Sequence, residues 1–587
     1  MIMNMKKYIG LSILALGMSL TSCSDFLDKA PDERVELNNV EDIVMLLGTA
    51  YSNSNYGWMC EISSDNIIDI NAPYMATQSS GEEIEVRFNL TSYDLMDDEA
   101  YQFKPVSTNS SDTPADIWES FYKAIAVANH AIDNLNNLRG STPIEQCSNA
   151  MKAAYGEALL SRAYNHFVLV NIFSQAYRDE ELSRGDVGIP YITSPEDKVH
   201  VDYDRENVTA TYQKIEKDLE EGLKYLNEQN YKKPKWHFNS KAAHAFAARF
   251  YLYKRNYDKC IEHANAVLGE NSTGGRAGLP TLLYNWEKCD DATNSTDVAE
   301  IWQGPDQPNN LMLVATYSRQ WRRAVDYRYA TAGKALRDIY GHLTHCSRYY
   351  WNPVAGVADK FYWDGNSDHG YKSGRISERF EYSDKVAGIG YPHIIRREFT
   401  CTELLLERAE AELLGQNDID GCVEDLIAYE ESRYNFSQKT KDRYSSGLTL
   451  PPTRTSMESW YAASQYKDHS NVKENWDFTQ KVSPSFVIPA NKVTYMNIIN
   501  DMRRYETAWT GLRFFDIKRL GLPFTHTYWQ NGQVVTFNIE AHDSRLAVEL
   551  PAEVLVAGLP TSRPATSAAE GAGKEMKQGS DAMANNK

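Results

Sequence analysis

Two helix–turn–helix segments, far apart in the chain, repeat one pattern of large and small residues, and this limits the fold more than any other feature. In the first, residues 243–253 have helical periodicity, Lys254-Arg255-Asn256 turns, and residues 257–268 return. In the second, residues 403–414, the turn Gly415-Gln416-Asn417 and residues 419–431 do the same. Ala247 and Ala409, Tyr257 and Ile419, and Cys260 and Cys422 are each 162 positions apart. Small residues at such places let two antiparallel helices approach closely, so Cys260 and Cys422 read as packing residues. One pair cannot cover its own apolar face, so pairs of this kind stack.

The pattern resembles the tetratricopeptide helix pair, with cysteine where alanine is usual. Further helices are predicted around it. Trp118, Tyr122, Ile125, Ala128 (or Asn129) and Ile132 recur at three and four over residues 118–138. Residues 151–173 form a second helix and 208–226 a third, with Tyr212, Ile215, Leu219, Leu223 and Leu226 inward and Lys/Glu outward. Shorter helices are predicted over 40–52, 332–340, 492–504 and 509–520. Residues 56–110, 269–397 and 437–489 lack helical period and read as loops with short strands or hairpins, 297–304 being one strand. Residues 524–550 read as short strands. From Pro560 the chain turns to Ala, Gly, Ser and Lys, a composition that cannot form a core. The expectation is a mainly α fold: tetratricopeptide-like repeats forming a scaffold, with long irregular loop insertions and a few short strands. One domain is placed at 37–559, with repeat helices at about 117–268 and 398–433, a ligand-loop insertion at about 269–397, and a disordered tail at 560–587.

The N-terminus speaks to location. Lys6 and Lys7 precede a mostly apolar run from Tyr8 to Leu20, too short to cross a bilayer comfortably. Leu20-Thr21-Ser22-Cys23 follows. This resembles the bacterial lipoprotein signal, in which residues 1–22 leave and Cys23 is lipidated; the other reading is an ordinary cleaved signal with an incidental cysteine. Two or more acyl chains suffice for stable anchoring. Residues 23–36 then serve as a tether, and Asp25, Asp28, Asp32 and Glu33 resemble the surface-export tag of Bacteroidetes lipoproteins. The formal charge of −19 repels phosphate backbones and argues against nucleic acid as a partner. Besides Cys23 there are seven cysteines and no CxxC pair, so no zinc site is indicated, while one or two disulfides stay open.

Five motifs in order extend the resemblance. Asp25-Phe26-Leu27-Asp28 with Pro31 is similar to the opening of SusD/RagB-type outer-membrane lipoproteins. Trp118 through Asn129, Glu157 through Tyr164, and Glu403 through Ala411 are similar to three of its helices. Glu506 and Gly511-Leu512-Arg513-Phe514-Phe515-Asp516-Ile517-Lys518-Arg519, with Gly521, resemble its terminal block. Glu549-Leu550-Pro551-Ala552-Glu553 fits the family's last strand, whereas Ala557 onward departs from its polar tail. The resemblance implies a cell-surface glycan-binding lipoprotein of the outer membrane. It would capture oligosaccharides and pass them to a SusC-like TonB-dependent transporter, without catalysis or cofactor. A peptide-binding RagB-like role, a surface glycoside hydrolase, and a repeat scaffold that grips proteins are the alternatives. No G-x-S-x-G, H-E-x-x-H, P-loop or dinucleotide fingerprint supports an enzyme. Asp516, three residues from both Arg513 and Arg519, reads as part of an ion-pair ladder, since flanking guanidinium groups keep a carboxylate ionised.

Sugar capture needs flat rings against the C–H face of the pyranose and polar side chains for its hydroxyls. The loops supply both. The candidate ligand residues are Tyr74, Tyr101, Tyr317, Arg319, Trp321, Trp351 and Trp363, with Trp321 and either Trp351 or Trp363 as a stacking platform. The competing reading is that these rings close the core beneath long loops. Trp286 and Trp302 are assigned to packing, Trp118 and Trp509 to helix core faces. Asp364-Gly365-Asn366-Ser367-Asp368 reads either as a solvated turn or as a structural calcium loop.

Overall fold

The computed structural model describes residues 37–77, 83–196, 203–228, 231–270, 276–284, 295–324, 326–333, 335, 339, 361–362, 370, 372–432, 453–462, 483 and 486–563. Ten helices carry most of the scaffold: α1 (Val40–Leu47), α2 (Pro114–Arg139), α3 (Asn149–Phe173), α4 (Val208–Leu223), α5 (Ser240–Tyr253), α6 (Tyr257–Leu268), α7 (Cys401–Ala411), α8 (Ile419–Ser432), α9 (Ala490–Glu506) and α10 (Leu512–Leu520). Local chemistry sets their starts. Thr113, Ser148, Asn207, Asn239, Asn256 and Thr400 each accept the backbone N–H three residues on, and Pro114 occupies the first turn of α2.

Neighbours stack in the order α2–α3–α4 and α5–α6–α7–α8, with α9 against α7. The two repeat pairs are therefore adjacent, α6 lying on α7. Ala247, Ala409, Cys260 and Cys422 are all fully buried. The Cys260 thiol points at the Glu407 carbonyl of α7, 3.8 Å away. Gly415 in the second turn faces Tyr257 so closely that a Cβ there would come within 2.3 Å of the Tyr257 Cβ. A second close approach joins α3 and α4, where a Cβ on Gly156 would meet the Gly222 carbonyl oxygen at 2.9 Å.

Helix α3 is buried on nearly every side from Ala153 to Phe173, polar residues included. Several of its polar residues are matched. Arg162 forks onto Asp218 of α4 at 2.7 and 2.8 Å. Glu157 accepts from Tyr51, Tyr231 and His237. The C-terminal carbonyls of α3 are sealed by groups from far along the chain. Lys518 donates to Asn171 and Ser174, Arg205 to Phe173 at 3.0 Å, and Ser562 to Phe173 at 2.9 Å. Burial pulls the Lys518 ammonium down to about 7. Pro560–Arg563, read from sequence as the start of a loose tail, are thus tied down, and Arg563 also donates to the carbonyls of Phe103, Ala547 and Arg545.

The terminal block forms a dry ion network that differs from the expected ladder. Asp516 takes Arg503 of α9 at 3.0 Å and Arg519 at 2.7 Å, and Arg519 goes on to Glu410 of α7 at 2.8 Å. Arg513 instead forks onto Asp65 at 2.7 and 2.8 Å, because the approach of α9 puts Arg503, not Arg513, beside Asp516. Burial alone would raise the Asp516 carboxyl, but Arg503 and Arg519 outweigh it and hold the group at about 2. Glu410 and Glu412 are buried, Glu410 in this network.

Two other expectations are corrected. Residues 297–304 are not a strand: Ser295–Trp302 is a helix that buries Ala299 and Trp302 one turn apart, with Trp302 stacked on Tyr284 at 4.7 Å. Helix α10 begins at Leu512 rather than Trp509. Gly511, at φ +85°, forms its left-handed entry, and a Cβ there would meet Cys60 and Gly57 at 2.9–3.0 Å. Trp509 is buried as expected, whereas Trp118 is only half-buried. Trp286 and the tail beyond 563 lie outside the described residues, as does most of the helix expected at 332–340. Five cysteines (Cys60, Cys147, Cys260, Cys401 and Cys422) are free thiols.

The longest sheet has three antiparallel strands in the order β1 (Asn310–Tyr317), β3 (Ile389–Thr400), β2 (Arg379–Asp384). A separate hairpin, β4 (Phe524–Gln530) and β5 (Gln533–Ile539), packs its His526, Tyr528, Phe537 and Ile539 face inward.

Candidate functional site

Strand β1 leaves the core at Tyr317. Its first five residues are buried, and Tyr317 is 41% exposed. The Tyr317 N–H donates to the Asn53 carbonyl at 2.7 Å, which pins the strand end. From Tyr317 to Arg323 the chain divides its side chains between two sides. Ser318, Gln320 and Arg323 are buried, Tyr317 and Arg322 are exposed, and Arg319 and Trp321 are half-buried, Trp321 at the rim of the core.

The inward groups make the base rigid. Gln320 donates to the Trp509 carbonyl at 2.8 Å and accepts from Asn55 at 2.9 Å. Arg323, fully buried, donates to Asp94 at 2.8 Å and to Asp112 at 3.4 Å. Asp112 also accepts the Arg319 backbone N–H at 2.9 Å. Burial raises the Asp112 carboxyl to about 6, with Arg323 opposing the rise. The outward groups are held but not covered. Arg322 forks onto Glu378 with both contacts at 2.7 Å, and Arg319 reaches Asp94 at 3.5 Å with its side chain 40% exposed.

The β2–β3 hairpin adds rings beside them. Tyr391, 55% exposed, stands 5.5 Å from Tyr317 across the β1–β3 register. Phe380 and Tyr382 are also exposed and pair edge-to-face at 4.9 Å, but on the opposite face of the hairpin, opposite Pro392 and Gly390. The result is a surface with bare rings, paired guanidinium groups and a fixed backbone. Such a surface can stack on a flat apolar face and hydrogen-bond hydroxyls.

Of the residues expected from sequence, Tyr317, Arg319 and Trp321 meet here. Tyr101 does not: it is 1% exposed, stacks on His526 at 4.0 Å and donates to the Thr527 carbonyl, so it is core. Tyr74 is half-buried in a small cluster with Phe88 beside Gly333, built around Ile70, Ala330 and Ala332. Its tyrosine tip suits both a wet and a dry setting, which is why sequence alone left it open. Cys23, Trp351, Trp363 and residues 364–368 lie outside the described residues. Tyr391, Glu378 and Asp94 were not singled out from sequence. Among the described residues no three His, Cys, Asp or Glu side chains gather as a metal site. No helix there is long and apolar enough to cross a membrane.

Residues 25–252 match the SusD-like family described as "starch-binding associating with outer membrane". A Bacteroides vulgatus protein whose sugar binding is itself a proposal is 15% identical, with a TM-score of 0.52 over 89% of this chain and 98% of that one. A SusD superfamily protein from Bacteroides thetaiotaomicron is 18% identical, with a TM-score of 0.49 over 88% and 98%. A laminarin binding SusD-like protein is 14% identical, with a TM-score of 0.47 over 89% and 97%. No curated protein matches the chain.

Proposed function

From a chain that is a SusD/RagB-type family member, we propose a cell-surface glycan-binding lipoprotein, anchored in the outer membrane through Cys23, that captures oligosaccharides and passes them to a TonB-dependent transporter. The observation that carries the binding role is the rigid-backed surface where Tyr317 and Tyr391 stand bare beside Arg319, Trp321 and Arg322. Rings with few rotatable bonds, on strand ends fixed by buried hydrogen bonds, lose little freedom when a ligand stacks on them. The role is binding without turnover: the terminal-block carboxylates that an acid/base mechanism would use are spent elsewhere. Asp516 is held ionised by two arginines, and buried Glu506 accepts from Thr402 at 2.7 Å. The lipid anchor and the transporter partner rest on the N-terminal signal and on family membership.

Retardation of the purified protein in gels containing amylopectin, laminarin or glucomannan tests the binding role, with a reducing-end assay on the same polymers. Retardation without new reducing ends is the expected result. Sustained release of product, or migration unchanged by every polymer, would sink it. Co-purification of a TonB-dependent barrel from outer membranes tests the partner.

A further inference from the structure

We infer that the ligand surface does not stop at Trp321 but runs on to the outer face of the β4–β5 hairpin, and that its occupant is an internal stretch of a long, uncharged polysaccharide. The inference rests on the glycan reading above and deepens it.

The hairpin pairs in register from Phe524/Ile539 to Gln530/Gln533. Because side chains alternate, the residues left for its outer face are Thr525, Thr527 and Trp529, opposite Asn538, Thr536 and Val534. Thr525 donates to Asn538 at 2.8 Å, and the Thr527 and Thr536 hydroxyls lie 3.1 Å apart, both pairs open to solvent. The Arg87 guanidinium lies 3.5 Å from the centre of the Trp529 ring. A row of hydroxyl and amide groups ending on an indole is poor protein-interface chemistry, since it lacks an apolar centre. It matches the alternating C–H faces and hydroxyls of a sugar chain.

Continuity with the first surface comes through one buried arginine. Arg328 donates to the Trp529 carbonyl at 2.6 Å, forks onto Asp69 at 2.6 and 2.9 Å, and lies 5.5 Å from the Tyr93 ring. Tyr93 is 42% exposed and adjoins Asp94, the partner of Arg319. Arg328 thus ties the Trp529 end of the hairpin, from beneath, to the Tyr93–Asp94 segment that Arg319 reaches. Apart from Arg87, the arginines along this path bring no surplus charge. Arg319 meets Asp94, Arg322 meets Glu378, Arg323 meets Asp94 and Asp112, and Arg328 meets Asp69 and Asp98. With the chain at −19, a polyuronate or sulfated glycan is repelled and a neutral one is not.

The test uses the full purified chain. The retaining neutral polymer is first identified in gels of amylopectin, laminarin and glucomannan, with polygalacturonate alongside. Its oligosaccharides, from disaccharide to octasaccharide, are then titrated calorimetrically. Affinity should rise with length, and Trp529→Ala should cost the octasaccharide about tenfold while leaving the disaccharide unchanged. The exposed pair Thr536→Val with Asn538→Ala should give a length-selective loss of several-fold without touching the hairpin's inner face. Equal loss at every length, no loss at any length, or stronger retention by polygalacturonate would overturn the extended surface. Absence of retention by any polymer is a separate failure, that of the glycan reading itself.

Discussion

The same three kinds of side chain do opposite jobs in two parts of this molecule. Between α7, α9 and α10, arginines and carboxylates are dry and locked on one another, with the buried Tyr253 ring 5.5 Å from the Arg519 guanidinium: Arg503, Arg519 and Asp516 are all 5% exposed or less. At the end of β1 and on β3, arginines and carboxylates again pair, but the rings of Tyr317 and Tyr391 stand in water. In the first region removing one group strands its partner in a low-dielectric interior. In the second, water replaces what is removed. Residue type alone therefore says little about role, and exposure decides it.

Asp516→Asn should be the most damaging change, because it leaves Arg503 and Arg519 short of a counter-charge: a loss of about 3–5 kcal/mol, read by denaturant unfolding. The acid side sharpens this. The folded carboxyl titrates near 2 against 3.8 unfolded, so its contribution is complete above about pH 4 and is lost as pH falls through 2. The Asn variant should lack that part of the acid slope. A variant as stable as the parent would erase the contrast between the regions.

Gly415→Val probes the scaffold without charge. The new side chain must push Tyr257 aside, at about 1–3 kcal/mol. A neutral result would mean that the two repeat pairs do not depend on that contact. On the exposed side, Tyr317→Ala with Trp321→Ala should weaken glycan retention about tenfold, equivalent to about 1.4 kcal/mol, as measured by affinity gel. The smallest effect belongs to Tyr391→Ala on stability: within about 0.5 kcal/mol, since the ring is largely hydrated. A large thermal shift there would make this ring core, like Tyr101.

The helical scaffold was legible because a period of 3.6 survives in sequence, and small residues such as Ala247 and Ala409 mark where helices touch. The strand predicted around Trp302 failed because Glu300-Ile301-Trp302 is β-prone over three residues, while the burial that decides it is one helical turn apart. Within the site, the dense run Tyr317–Arg322 was visible. Tyr391 was not: Gly388, Gly390 and Pro392 blur the strand pattern around it. Nor could sequence pair Arg513 with Asp65, because 448 residues separate them and only tertiary packing brings them together.

The sealing of α3 bears on the order in which the molecule can become firm. The stops for its last carbonyls come from Arg205, Lys518 and Ser562, so a chain emerging from its N-terminus holds the central rod long before it holds the parts that finish it. Until about residue 562 is present, only part of that seal is in place, from Arg205 first and Lys518 later. A nascent chain built this way postpones its final hardening until about residue 562 has emerged, which leaves it pliable until then.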